Sequence, residues 1–405
     1  MSGRVLFICR QNNDFERFVA IADRASELFS QWILHIKPLE RVDNKHLIEL
    51  LNPQVPLWDP GKFCFRFRTY LFFNRQARTF RSSLLWRIGQ GFLASSLSRG
   101  NEFAKKVLDS LAPDIIFFCY TAKNADLPLY QAIHSLAVQR KIPIFIASTG
   151  IAAYASVTGS RDAILPDEQL GGNVLLSPSR HDLQHYYHVE KTMKALPYET
   201  LISGDPRLSA PFVQKVTQHY RDRPNIKVNH EPGFSAVIFG TNLPYLCEGA
   251  QEPQDQLILK IVEWLISQEV TSIYVRFHPQ TSWTEVRDQI QSFSQVRICP
   301  AITTSELLGS ATLVVSPPTS VLFEAMILGK KILVVDDFEG KTSSFRDYGV
   351  QTVTSTDLPT CDLDAIHNQY QLDSVVEFVW GDQADGDCRD KLLAKMIEVI
   401  EKKGR

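Results

Sequence analysis

The chain has 405 residues, 44% of them hydrophobic and 22% charged, which is enough to bury two separate globular cores. A formal net charge of -2 excludes a whole-chain bias towards nucleic acid. No apolar run approaches the roughly 20 residues of a membrane span, and MSGRVLFICRQNND lacks the apolar core and cleavage site of a signal peptide, so a cytoplasmic protein is expected.

In chain order, Val5–Cys9 reads as a short buried strand, followed by the polar loop Arg10–Asp14. Helical spacing of Phe18, Val19, Ile21, Ala22, Ala25 and Leu28 predicts a helix over Phe15–Phe29, with a second strand at Trp32–Ile36. Residues 101–112 read as a helix, Asp114–Tyr120 as a strand, Leu127–Gln139 as a helix and Ile142–Ala147 as a strand. Val174–Leu176 and Thr200–Ser203 complete this half as strands. Strands alternating with helices imply a parallel, doubly wound sheet.

Breakers and charges cluster over 206–232, around a helix at Ala210–Tyr220, and mark a linker between an N-terminal domain (1–205) and a C-terminal domain (233–385). The rhythm then restarts. Strands are expected at Ser235–Phe239, Ser272–Phe277, Val296–Ile298, Leu313–Ser316 and Lys331–Val335. Helices are expected at Gln254–Gln268, Thr304–Ser310 and Ser320–Leu328, with a charged terminal helix at Asp387–Lys403 inside a last segment, 386–405. The fold class is therefore α/β, two Rossmann-like domains facing a cleft. Seven widely spaced cysteines without a CxxC read as reduced, mostly buried thiols.

Three stretches of the second half could carry chemistry. In Ser316–Val335, a strand runs into Pro317-Pro318, and Thr319-Ser320 open a helix whose free N–H groups and hydroxyls suit a phosphate. Glu324, one turn on, can accept from ribose hydroxyls. The plainer alternative is a capping hydroxyl with a solvated first-turn acid. Arg276-Phe277-His278-Pro279 ends a strand, where ligands of open α/β sheets bind, and His278 could meet a phosphate or act as a general acid. Gly240-Thr241-Asn242 follows the first strand of this half and lets backbone N–H groups approach a phosphate, without the GxGxxG of a dinucleotide site.

Strand–His278-Pro279 followed by S-x-x-T-S-x-x-x-E-A-x-x-x-G-K resembles the C-terminal domains of bacterial surface-polysaccharide GT-B transferases. These are the capsule sialyltransferases and polysialyltransferases, Kdo transferases and CDP-glycerol glycerophosphotransferases. Ser203-Gly204-Asp205-Pro206-Arg207 is similar to the segment that precedes the second domain in those enzymes and in UDP-GlcNAc 2-epimerases. The resemblance covers about residues 200–340. It implies a GT-B fold, His278 with Thr319 and Ser320 on the nucleotide phosphate, and Glu324 near the ribose.

The sialyltransferases carry an acidic motif as base where this chain has Ser148-Thr149-Gly150, and no histidine replaces it. Asp14, Asp126, Asp167 and Glu168 are the candidate acids; Asp14 and Glu168 join His278 as the catalytic candidates. Between residues 61 and 101, arginines including Arg66, Arg68, Arg75, Arg78 and Arg81 interleave with aromatic side chains and no acid. This run suits a glycan or lipid-linked acceptor, or a peripheral membrane contact.

The expected function is a metal-independent, cofactor-free glycosyltransferase moving a sugar from a nucleotide donor, CMP-linked first and UDP-linked second, into a surface polysaccharide. Nucleic acid is not an expected partner. Two alternatives stay open. A sugar-nucleotide epimerase on the same fold would need extra acids and a basic site in the cleft. A non-catalytic binding subunit would explain the missing base.

Overall fold

The computed structural model describes residues 3–9, 12–35, 47, 57–58, 101–119, 128–147, 174–179, 199–222, 235–240, 254–277, 284–299, 302–336, 344–367, 369–371, 375–376 and 379–403. The first sheet contains β1 (Gly3–Cys9), β2 (Phe29–His35), β3 (Leu57–Trp58), β4 (Ile115–Cys119), β5 (Ile144–Ala147), β6 (Val174–Ser177) and β7 (Glu199–Ile202). Their order is β3-β2-β1-β4-β5-β6-β7, every pair parallel. The second sheet contains β8 (Ser235–Phe239), β9 (Ser272–Arg276), β10 (Val296–Ile298), β11 (Leu313–Ser316), β12 (Lys331–Val335) and β13 (Gln351–Val353). Its order is β10-β9-β8-β11-β12-β13, again parallel throughout. Two doubly wound sheets of this kind are the GT-B architecture expected from the sequence.

Parallel sheets are covered on both faces, which is why their strands read as continuous apolar runs. On one face of the first sheet, Phe7 packs against Phe117 (ring centroids 5.0 Å apart) and against Phe18 of α1 (Asn12–Ala25; 5.4 Å). On the other face, Leu6 and Ile8 meet Val107 and Leu108 of α2 (101–111) and Ile133 of α3 (Pro128–Gln139). Helix α1 is shorter than its apolar spacing predicts. It ends at Ala25, Leu28 is 46% exposed in the turn, and Phe29 starts β2. The turn residues broke the helix while the apolar spacing continued through them.

The chain passes between the halves twice, and the passages touch. The outward passage is a 3-10 turn, Pro206–Leu208, leading into α4 (Ala210–Arg221). The return passage runs from Val379 to α9 (Arg389–Lys403), whose Leu392, Leu393 and Met396 join the core beneath the first sheet. The Asp205 N–H donates to the Val379 carbonyl at 2.7 Å, and Trp380 Nε1 donates to the Leu208 carbonyl at 2.8 Å. A Cβ on Gly381, which has φ +57°, would lie 2.4 Å from the Gly204 nitrogen, so only glycine fits there. Ser209 Oγ donates to Asp387, which Arg389 also grips at 2.7 Å.

Asp205 is the centre of this crossing. It is fully buried, caps the 3-10 turn by accepting from the Arg207 N–H at 3.1 Å, and takes both Nε and Nη2 of Arg17 at 3.1 and 3.0 Å. Burial by itself would raise its pKa; the Arg17 and Arg207 charges and these hydrogen bonds outweigh that and hold it below the usual carboxylate value. Arg17→Ala therefore strands a buried carboxylate, and a loss of about 3–5 kcal/mol is expected in denaturant unfolding. Arg24→Ala, which breaks the exposed pair with Asp390, should cost no more than about 1 kcal/mol. Equal losses in the two variants would contradict the assignment of Arg17–Asp205 as the holding contact.

Candidate functional site at the crossing

Both sheets reverse their strand order at one point, between β1 and β4 and between β8 and β11. The carboxyl ends of strands at such points form the crevice where ligands of this architecture bind. In the second half that edge is tied together by its own polar groups. Ser316 Oγ lies 2.8 Å from the carbonyl oxygens of Phe239 and Pro317. The Gly240 N–H donates to the Arg276 carbonyl at 2.9 Å, and Arg276 Nη1 donates to Thr304 Oγ1 at 2.9 Å, at the start of α7 (Thr304–Ser310).

Pro318 and Thr319 lead into α8 (Val321–Ile327), with Ser320 at its N-cap position making no side-chain capping bond. At seven residues, this helix has a modest dipole to offer an anion. Glu324 is not a solvated first-turn acid. It is 8% exposed, and burial, the dominant influence, pushes its pKa up to about 7, with Arg207 and Arg276 pulling it down and Glu16 and Asp205 adding to the rise.

Glu16 faces it from α1 in the other half. Its side chain is 24% exposed and lies 3.6 Å from Arg207 Nη1. Its pKa is raised too, chiefly by burial, against the pull of Arg207 and Arg276. Arg207 stands between the two acids. Its own pKa is raised: burial acts against its charge, and Asp205, Glu16 and Glu324 more than restore it. Two acids whose carboxyl pKa values are raised by burial thus meet two arginines where the halves join, an arrangement able to bind an anion and move a proton beside it.

Of the residues singled out in the sequence, the structure brings Gly240, Arg276, Ser316, Pro318, Thr319, Ser320 and Glu324 to the same end of the second sheet. Thr241, Asn242, His278, Pro279, Asp126, Asp167, Glu168 and the arginines Arg66, Arg68, Arg75, Arg78 and Arg81 lie outside the described residues. Asp14 falls within α1, but its side chain is also outside them. Sequence reasoning missed Glu16 and the role of Arg207. The available signal was a Glu-Arg pair inside an otherwise apolar helix face, together with an arginine in a segment read only as a domain junction.

No protein-family model matches the chain, and no curated protein matches it in sequence. Solved structures match it end to end. A Listeria monocytogenes protein assigned as a UDP-N-acetylglucosamine 2-epimerase superposes with a TM-score of 0.63 at 13% identity, over 99% of this chain and 98% of its own. S. aureus MnaA, solved with UDP, gives 0.60 at 10% identity over 98% and 97%. The Neisseria meningitidis UDP-GlcNAc 2-epimerase bound to UDP-GlcNAc gives 0.57 at 12% identity over 98% and 100%. At such identities the likeness establishes the fold.

It also corrects the functional expectation. The full-length neighbours are 2-epimerases, and this overturns the glycosyltransferase using a CMP-linked donor that the sequence suggested. The resemblance to capsule transferases holds at the level of the GT-B fold only. The motifs behind it are strand ends of the second half together with Ser203–Arg207 on the passage leading into it. Among the described residues, no helix is long and apolar enough to cross a membrane.

The raised pKa of Glu324 has a signed consequence. The folded protein holds a proton there that the unfolded chain releases near 4.5, so the stability linked to it is complete below that pH and is lost as pH rises through about 7. The displacement corresponds to roughly 3 kcal/mol. Glu324→Gln should match the parent at about pH 5 and exceed it in thermal midpoint at about pH 8. Parallel stability curves across that range would contradict the burial of an ionisable Glu324.

Proposed function

We propose that the protein is an enzyme acting on a UDP-linked sugar, an epimerase that needs no acceptor. The observation carrying this reading is the meeting of Glu16 and Glu324, one from each half, around Arg207 and Arg276. Inverting a sugar carbon requires one group to take a proton and another to supply one, next to cations that hold the diphosphate. A carboxyl that titrates near neutrality, as Glu324 does at about 7, suits both directions of that transfer. A cleft furnished with acids and a basic site is what the epimerase alternative demands, and the end-to-end likeness to UDP-GlcNAc 2-epimerases supports it.

In this reading the C-terminal half holds the nucleotide at Gly240, Arg276, Ser316, Pro318, Thr319, Ser320 and Glu324, and the sugar points across the cleft to Glu16. His278 and the loop Thr241-Asn242 would complete the nucleotide side. Closure of the two halves would exclude water during the reaction.

The direct test is incubation with UDP-N-acetylglucosamine in deuterated buffer without any acceptor, followed by proton NMR. A second hexosamine species carrying deuterium at the inverted carbon is expected. An unaltered sugar nucleotide, or consumption only after a glycan acceptor is added, would count against the reading.

A further inference from the structure

Arg207 is a half-buried cation with distant partners. Its side chain is 13% exposed, and its ion pairs are long, 3.6 Å to Glu16 and 3.8 Å to Asp205, beyond the roughly 2.7–2.9 Å of a well-made charged hydrogen bond. Its Nε is buried with no partner at all. A guanidinium carries five donors in a fixed fork, and leaving them unmade in a buried place is costly. Arg17 differs sharply: it spends Nε and Nη2 on Asp205 at 3.1 and 3.0 Å and is 3% exposed. That bidentate pair takes both oxygens of Asp205, which accounts for the long distance from Arg207 to the same carboxylate.

We propose that Arg207 is a ligand-binding residue for the diphosphate of the sugar nucleotide, gripping the phosphate nearest the sugar, and that Glu16 is its counter-ion in the unliganded protein, displaced when the diphosphate enters. The inference rests on the UDP-sugar reading above and adds to it a residue on the linker. The position chooses the phosphate. Arg207 lies on the passage between the halves and pairs with Glu16 of α1, on the side of the first half towards which the sugar points in the reading above, whereas Gly240 and Ser316 follow and end strands of the second sheet. A phosphate offers the planar fork more acceptor oxygens, at shorter range, than the carboxylate beside it does. Among the described residues, the charged groups with the largest influence on Arg207 are Asp205, Glu16, Glu324 and Arg17.

Two variants test this by isothermal titration with UDP and UMP as probes, each variant first shown to keep the parent's thermal midpoint within a few degrees. Arg207→Ala should weaken UDP by roughly 10- to 100-fold, the worth of one or two hydrogen bonds to a charged group, while changing UMP less than about twofold. Glu16→Gln should tighten UDP several-fold, because a competing internal anion is gone. A residue serving only the architecture would loosen binding in both variants and for both probes. Equal loss for UDP and UMP in Arg207→Ala, or unchanged UDP affinity in that variant, overturns the inference while leaving the UDP site standing. A parent protein that binds neither probe overturns both.

Discussion

Arg17 and Asp205 are withdrawn from water together, and much of the site follows from that. The pair fastens the first helix of the N-terminal half to the linker that enters the second, at the level where the return passage packs glycine against glycine. A buried ion pair brings little net stability, because desolvating both charges consumes most of the attraction. What it secures here is register. With both Asp205 oxygens engaged by Arg17 at about hydrogen-bond distance, the next arginine, Arg207, pairs with Asp205 only at 3.8 Å and with Glu16 at 3.6 Å.

The strands and the shared strand-end edge of the second sheet were legible in the sequence because their physics is local. Runs such as Ser235–Phe239 and Leu313–Ser316 are buried on both faces, so they are continuous and coincide with the observed β8 and β11. The short β3 and β13 and the helix Thr284–Gln291 were not read. Two or three edge residues carry little pattern, and that helix has few apolar positions. The terminal helix was legible as a helix, but its return to the first core was not, since the packing of Leu392 and Met396 with Phe18 depends on a contact far apart along the chain.

The same distinction explains the functional misreading. Hydroxyls, a histidine and an acid after strands in the second half announce a nucleotide, and transferases and epimerases can use a nucleotide-holding half alike. What separates the two is the chemistry facing it, and in the proposed reading that chemistry is assembled from positions 16, 207 and 324, each unremarkable where it stands. Glu16 looks like a helix-surface acid and Arg207 like a linker charge. Only the fold brings them beside Glu324, where burial raises the pKa of both acids and Arg207 Nε is left without a partner. The arginines of residues 61–101, read as an acceptor or membrane-facing surface, lie outside the described residues.

The account stands on one site shared by both halves at the crossing. Hydrogen–deuterium exchange with and without UDP tests that claim most directly, because it reports on each backbone segment separately. Protection gained together in 12–17, 203–209 and 316–324 is the result the account predicts. Protection confined to the second half, with 12–17 and 203–209 unchanged, would contradict it.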